Sequence, residues 1–461
     1  MSSNGFSPTP SACSAPVVVI GGGLAGLASA VELSDRGHQV LLLEAKRRLG
    51  GRAASFREPV TGDEIDNGQH AMMGAYHHTL SFLQRIGAQP KLTRQERLRV
   101  PYVHVPSRQH ATLEAAELPA PLHAAFAIAR FALLPPRERL QALLGGLKIL
   151  TICKQNPRFL QDLTVEDLLQ FCGQTRRTRE RLWHPVAVAT MNERPSRAAA
   201  APFAEVVVRA FFASRRDSQF VFPRVPLSVL YVHDALKFIQ RRGGEVRTGA
   251  VVEELVCERG RALAVRLRNG ALLPASAVVC ALPPEGAHKL LAPHGIDVPC
   301  GAYTPIVSLH LWFDGPPRLP SFVGLLGTRA QWVFDRESLW QQTANAAVRL
   351  PHILSVVISA AYEEVEFSDG TLVDTIKDEL ARAFPHLRAL RLRHAAVIRE
   401  RRATPSLTPE FERCRPTIAT HLPNVFLAGD WVATRLPATI ESAVASGFAA
   451  AEAVVQAVGR A

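Results

Sequence analysis

Cysteine is scarce and never paired. The seven thiols (Cys13, Cys153, Cys172, Cys257, Cys280, Cys300 and Cys414) lie far apart, with no C-x-x-C spacing. That argues against a disulfide framework and against a structural zinc site, and it fits a reducing cytoplasm. There is no run of roughly 18 uncharged apolar residues, so no membrane-spanning helix is expected. The first residues, "MSSNGFSPTPSACSAP", have neither the basic start nor the apolar core of a signal peptide, and residues 1–15 read as an unstructured tail. Internal repeats and low-complexity linkers are missing too. Charge is sparse, at 20% of residues against 47% hydrophobic, which excludes general disorder and implies more apolar surface than usual. The charge that exists is lopsided, with a formal net of +12. No nucleic-acid-binding motif accompanies it, and arginines such as those in "CGQTRRTRERLW" (Cys172 to Trp183) are scattered. The expected polyanion is therefore an anionic membrane surface, the inner face of the cell membrane, and not nucleic acid.

A chain of 461 residues exceeds what one core usually holds, so two joined domains are expected. Val17 to Ile20 has the fully apolar, β-branched character of a strand buried on both faces. Glycines follow, then helical spacing over Leu24 to Arg36, a stop at Gly37, and a second apolar strand in "HQVLLLEA". This is a βαβ unit with a parallel sheet. The pattern returns in "VLYVHDALKFIQRR" (helix), in "EVRTGAVVEELVCE" (strand, turn, strand) and in "ALLPASAVVCALPP", read as one buried strand closed by prolines. It returns again near the end, in the strand of "NVFLAGDW" and the helix of "ATIESAVASGFAAAEAVVQAV". The expected fold is α/β, a Rossmann-like nucleotide-binding domain assembled from 16–84, 223–285 and 413–461. An interleaved α+β substrate domain would take 85–222, mostly helical, and 286–412, with strands in "PIVSLHLWFD" and "HILSVVISAAYEE" and a helix near Thr371 to Phe384.

In "GGGLAGL", Gly21, Gly23 and Gly26 satisfy G-x-G-x-x-G between a strand and a helix. Gly21 permits the tight turn, Gly23 a close approach of pyrophosphate, and Gly26 close helix packing, while the helix N-terminus offers N–H groups to phosphate. Glu44, ending the second strand, is placed to accept from ribose hydroxyls and would repel a 2′-phosphate. The glycines alone do not separate NAD from FAD. The loop that follows, "EAKRRLGGRAASF", sets Gly50, Gly51 and Arg52 to wrap the pyrophosphate from the other side. This extension resembles the FAD-binding amine oxidase and phytoene desaturase superfamily, with its GR2-type nucleotide domain.

By that resemblance "VFLAGDW" places Gly429 and Asp430 on the ribityl chain and pyrophosphate, with a turn or cap role as the alternative for Asp430. The expected FAD contacts also take in Leu24, Ala25, Ala45, Val252, Ala438, Thr439 and Ile440. The last helix would point its amino end at the flavin, favouring the anionic reduced form. No cysteine lies in an attachment context, so FAD is expected to be non-covalent.

A closer resemblance follows from "GGRAASFREPVTGDEIDNGQHAMMGAYHHTLSFLQRIGA" (Gly50 to Ala88), "LWHPVAVATMNERPSRAAA" (Leu182 to Ala200), "FPRVPLS" (Phe222 to Ser228), "QWVFDR" (Gln331 to Arg336) and "LAGDWVATRLPATIESAVASG" (Leu427 to Gly447). Together they resemble the hydroxysqualene dehydroxylase family, also called squalene-associated FAD-dependent desaturases, over nearly the whole chain past residue 16. The resemblance implies reductive removal of the hydroxyl of hydroxysqualene in bacterial squalene and hopanoid synthesis, a C30 isoprenoid substrate, a separate reductant and association with squalene-synthase-like enzymes. A phytoene-type desaturase or isomerase is the alternative within the fold, and a non-catalytic FAD-binding scaffold at the membrane the alternative of another class. His70, His184 and Glu441 are the candidates for the acid that such a reaction needs, and Asp66 is placed to shape the flavin site. Arg435 and Ser442 depart from the family pattern, where glycine is commoner. His77 and His78 are adjacent, so on a helix they point apart and no metal site is expected.

The stretch from Leu118 to Lys154 holds two apolar helical segments broken by Pro135 and Pro136, with Arg130, Arg137, Arg139 and Lys148 at intervals. It reads either as a membrane-facing element or as the core of the helical part, since both give the same periodicity.

Overall fold

A computed structural model describes residues 15–340 and 351–458. The tail therefore lies almost wholly outside the described residues, as does Cys13.

Val17–Ile20 sits at the centre of a five-stranded parallel sheet, between Val40–Glu44 and Ala277–Cys280, with Glu245–Thr248 and Val425–Leu427 on the two edges. The three central strands are apolar and buried nearly throughout, as a sheet covered on both faces requires. One cover is a helix pair, Leu24–Asp35 against the final helix Ile440–Val458. Their backbones come close because Gly447 has no side chain: a Cβ there would lie 2.4 Å from the Ala25 carbonyl oxygen. Ser29 Oγ adds a 2.9 Å hydrogen bond to the Gly447 carbonyl across the same contact.

The segment read as one strand, "ALLPASAVVCALPP", is two. Leu272–Pro274 belongs to a three-stranded antiparallel sheet with Val252–Glu258 and Arg261–Leu267, whereas Ala277–Cys280 belongs to the parallel sheet. Between them the backbone changes partners, Ala275 N donating to Leu263 O and Ser276 N to Pro16 O. The helix expected from "VLYVHDALKFIQRR" opens with a π-helical turn, Ser228–His233, before the α-helix Asp234–Arg241.

A second, seven-stranded sheet runs in the order Leu392–Pro405, Tyr303–Phe313, Ile353–Ser359, Trp332–Asp335, Phe322–Leu326, Arg99–His104, Gln109–Glu114. The last two strands form a hairpin inside the stretch read as mostly helical; Pro101, Pro106 and the intervening charges hide its alternation. The odd-numbered residues of Tyr303–Phe313, including Leu309 and Leu311, pack with Leu372, Ile376 and Leu380 of the helix Asp369–Ala383. Ser308, His310 and Trp312 face residues 63–68, which follow the Gly-Gly-Arg loop. Buried Glu193 joins this sheet to the helices of 122–208, accepting from Thr304 Oγ1 (3.0 Å), Tyr362 OH (2.6 Å) and Ser406 Oγ (2.5 Å).

Candidate cofactor and substrate site

The glycine loop leaves the strand Val17–Ile20 and enters the helix Leu24–Asp35 at Gly23, which caps the helix with no side-chain hydrogen bond. The N–H groups of Leu24, Ala25 and Gly26 are in the first turn and lack intrahelical acceptors, and no acidic side chain occupies that turn. A Cβ at Gly26 would lie 1.9 Å from Gly21 O, so only glycine lets helix and loop meet. A Cβ at Gly23 would meet nothing within 4 Å, leaving the loop open on the side where N–H groups and helix dipole favour an anion. Glu44 is held at the end of its strand by Gly22 N (2.7 Å) and Lys46 N (2.8 Å). Ala45 beside it is exposed, and the stretch leading to Val252 lies against Glu44 through Ala250 N to Glu44 O (2.9 Å).

The second loop folds onto the first. Gly50 N donates to Gly22 O (2.8 Å), and Gly51, at φ +61°, brings its Cβ position within 3.2 Å of the Gly23 Cα. Arg52 then reaches a residue far along the chain, its Nη2 lying 2.7 Å from Asp430 Oδ1 and its Nη1 2.7 Å from Ala403 O. Buried Asp430 is thus the anchor of Arg52, and it sits in a turn in which Val432 N donates to Gly429 O (3.2 Å), so the turn alternative holds beside that ion pair. Gly429 N donates to Ser446 Oγ (2.8 Å). Glycine loop, helix dipole, strand-end carboxylate, Gly-Gly-Arg loop and Gly-Asp strand end form one cradle, a donor set that fits a dinucleotide flavin.

Arg415 escaped the sequence reading. Its side chain is fully buried and donates to Leu436 O (2.8 Å), Asp430 O (3.1 Å) and Val432 O, with Glu412 as its counter-charge at 2.9 Å. It pins the loop that carries Asp430 to the segment ending in Ala438 and Thr439. Arg415, the second arginine of "RCRP", carries no local signal of this, because its acceptors are carbonyls brought by folding. The two departures from the family pattern are accommodated. Arg435 takes a left-handed φ of +66° that favours glycine, and Ser442 Oγ bonds Thr434 Oγ1 at 2.7 Å.

The acid candidates fare differently. Glu441 is 2% exposed and accepts from His78 N (2.9 Å), His78 Nδ1 (2.8 Å), Thr79 N (2.9 Å) and Thr79 Oγ1 (2.7 Å). Burial pushes its pKa up, but these bonds outweigh that and hold it below the usual range. It caps the helix His77–Arg85, and those four bonds favour its ionised form. His70 Nδ1 donates to Gly68 O (2.7 Å), and burial lowers its pKa, so the ring is neutral with Nε2 an acceptor. That geometry suits positioning and not acid catalysis at neutral pH. His184 belongs elsewhere: its Nε2 lies 2.8 Å from Glu166 Oε2, and the ring lines a cleft with His104, Glu138, Arg177 and Arg181. Asp66 is buried and accepts from Ser55 Oγ (2.6 Å) and Leu227 N (3.0 Å); burial pushes its pKa up to about 6 against those bonds and the charge of Arg336. It ties the cofactor loop to the π-helical turn. His77 and His78 point apart, His77 toward Asp217 and His78 toward Glu441.

Comparison with known proteins agrees with this geometry. The family model for flavin-containing amine oxidoreductases matches residues 24–455. The hydroxysqualene dehydroxylase of Rhodopseudomonas palustris is 30% identical over 448 residues, covering 96% of this chain and 99% of that protein. The 15-cis-phytoene desaturase of an Oncidium hybrid cultivar is 26% identical, over 95% of this chain but 78% of its own length. Among solved structures, an oxidoreductase from Methanosarcina mazei superposes with a TM-score of 0.71 at 16% identity, covering 95% of this chain and all of that one.

Proposed function

The chain belongs to the flavin-containing amine oxidoreductase family, and from that premise we infer that it is an FAD-dependent oxidoreductase that removes the hydroxyl of hydroxysqualene to give squalene. The observation that carries this is end-to-end similarity to a hydroxysqualene dehydroxylase, with matching lengths; the desaturase match is lower in identity and leaves about a fifth of that protein uncovered. The cradle would hold FAD without a covalent bond, and in its FADH2 form the cofactor would supply one hydride for the carbon and one proton for the departing oxygen, giving squalene, water and oxidised FAD. The chain's own part is binding and exclusion. The helix end at Leu24 and the loop Gly50–Arg52 hold pyrophosphate, Glu44 accepts from ribose, and Arg52 with Asp430 joins the two halves. The packed rings of Phe220, Phe222, Phe322 and Trp332 supply apolar surface that keeps water from a hydrocarbon chain. Anaerobic, photoreduced enzyme given hydroxysqualene is expected to yield squalene as its flavin reoxidises. Flavin that stays reduced with no squalene formed would overturn the reading.

The substrate's insolubility makes a membrane the natural source, and one surface suits it. Leu140, Leu144 and Leu147 are 58%, 51% and 49% exposed along one stripe of the helix Pro136–Gln155, while Ala142, Gly146 and Ile149 are buried on the other. Leu118, Leu122 and Phe126 stay exposed nearby in sequence, and Arg130, Arg137 and Lys148 are solvent-facing. A core helix would have buried those leucines, so the exposure supports an interfacial element with cationic flanks, docking on an anionic bilayer. No helix among the described residues is long and apolar enough to cross a membrane. The protein is expected to float with anionic liposomes, less so at high salt, and a Leu140→Glu, Leu144→Glu, Leu147→Glu variant to bind roughly tenfold more weakly with unchanged activity in detergent. Absence of flotation at any salt, or flotation of the triple variant like the parent, removes the proposal. Association with squalene-forming enzymes and delivery of electrons by a separate reductant complete the reading.

A further inference from the structure

The strand Tyr303–Phe313 turns Ser308, His310 and Trp312 to one face, toward the segment that follows the cofactor loop. Two of the three are satisfied there. Trp312 Nε1 donates to Asp63 Oδ2 (2.7 Å), and His310 Nε2 donates to Asp66 O (2.9 Å) while its Nδ1 accepts from Ser355 Oγ (2.8 Å). Ser308, next along the same face, is 1% exposed, and its Oγ has no hydrogen-bond partner among the described residues. Opposite it lies Gly68. A Cβ built there would have a single atom within 4 Å, Ser308 Oγ at 3.1 Å, so the glycine keeps open the space that the hydroxyl faces. Beside Gly68, Gln69 Nε2 and Asn67 Oδ1 are likewise buried without partners, while Asn67 Nδ2 donates to Arg52 O, linking this turn to the cofactor clamp. The strand neighbours of Ser308 are apolar, Val357 on one side and Ile398 on the other.

We propose that Ser308 and the Gln69 amide, across the space kept by Gly68, form the subsite that receives the substrate's hydroxyl. This deepens the dehydroxylation reading and rests on it. Buried polar groups in native proteins are paired, and an unpaired one calls for an explanation. A long hydrocarbon with one hydroxyl offers one group to match. The serine O–H and amide N–H can both donate to its oxygen, and the serine oxygen can accept its proton. Neither brings charge, which fits an alcohol; an ammonium would need a carboxylate here and a carboxylate a cation. Donors on the oxygen also favour its departure, since negative charge builds there as the carbon–oxygen bond breaks; the proton that completes the water is the one released as FADH2 becomes FAD. Ser308 and Gln69 orient the carbon–oxygen bond and select a substrate with oxygen at that position.

The test compares two lipids that differ only in the hydroxyl. Oxidised, FAD-loaded protein is immobilised in detergent, and retention of hydroxysqualene and of squalene is quantified by mass spectrometry. Ser308→Ala and Gln69→Leu are each expected to weaken retention of the alcohol by about three- to tenfold, the range for one hydrogen bond, with squalene retention and FAD content unchanged. Ser308→Thr, which keeps the hydroxyl, is expected to retain the preference for the alcohol. Equal losses for both lipids, unchanged retention of the alcohol, or loss of FAD alongside it would overturn the proposal, the last because the polar atoms would then serve the cofactor. Turnover of the parent protein is a separate readout. Squalene formed by a parent whose variants retain the alcohol normally refutes only the subsite, whereas absence of squalene refutes the reaction.

Discussion

Asp430→Ala is expected to purify folded but with FAD affinity lowered at least about tenfold. The carboxylate is 4% exposed and its Oδ1 meets Arg52 Nη2 at 2.7 Å, a bond between residues 378 apart in the chain. Removing it leaves the guanidinium with the Ala403 carbonyl alone, so the Gly50–Arg52 loop loses its tie to the carboxy-terminal strand. A charge-assisted hydrogen bond of this kind contributes about 1.5–3 kcal/mol, or roughly ten- to a hundredfold in binding. Flavin absorbance per mole of protein, and thermal unfolding with and without added FAD, read the loss. Full FAD content in the variant would mean that the two halves of the cradle act independently. The same variant separates enzyme from scaffold: an apo protein that still restores squalene synthesis in cells lacking the gene would be a scaffold, and none should be restored.

Glu441→Leu is expected to be the most disruptive single change named here. The carboxylate is the acceptor for two backbone N–H groups, a hydroxyl and an imidazole at the start of the helix His77–Arg85. Leucine would leave the His78 and Thr79 N–H groups without it, at about 1–3 kcal/mol each, so a loss of roughly 3–5 kcal/mol is expected. That is a large share of the ~5–15 kcal/mol by which folded domains are stable, and most of the protein should be insoluble. Glu441→Gln keeps one acceptor oxygen and should fold with a lowered melting temperature. Its turnover per bound FAD should stay within about threefold of the parent, whereas loss of a general acid would cost roughly 100- to 10,000-fold. A collapse of turnover in folded, flavin-replete Glu441→Gln would return Glu441 to the proton-donor role. The pH dependence has a definite sign. A carboxylate whose pKa is depressed by folding stabilises the protein fully above the usual glutamate value, and that contribution is lost as pH falls through the lowered one. Stability should therefore drop in acid, and the drop should be smaller in Glu441→Gln.

The local geometry of the nucleotide half is legible in the chain because each part is enforced by neighbours in sequence. An apolar strand, three glycines at fixed spacing and a strand-end acid can be arranged in few ways: Gly26 packs against Gly21 O, and Glu44, at the end of its strand, accepts from Gly22 N. The membrane-or-core ambiguity of 118–154 was real, because periodicity reports that a helix has an apolar side and not what covers it. Only the packed structure distinguishes Ile149, buried, from Leu147, exposed two residues earlier. The hairpin 99–114 was hidden for a related reason: its strands are stabilised by pairing with Phe322–Leu326, far along the chain, and not by their own alternation.

The candidate site residues show the division most clearly. Sequence alone determined the cofactor class and the family, since both reside in short motifs whose spacing is set by covalent geometry. Tertiary structure alone decided the roles of the titratable side chains. It made Glu441 a helix cap, sent His184 to a distant pairing with Glu166, and brought Ser308 to Gly68 across some 240 residues of chain. The state and duty of a polar group depend on what desolvates it and what donates to it. Those partners are assembled only by the fold.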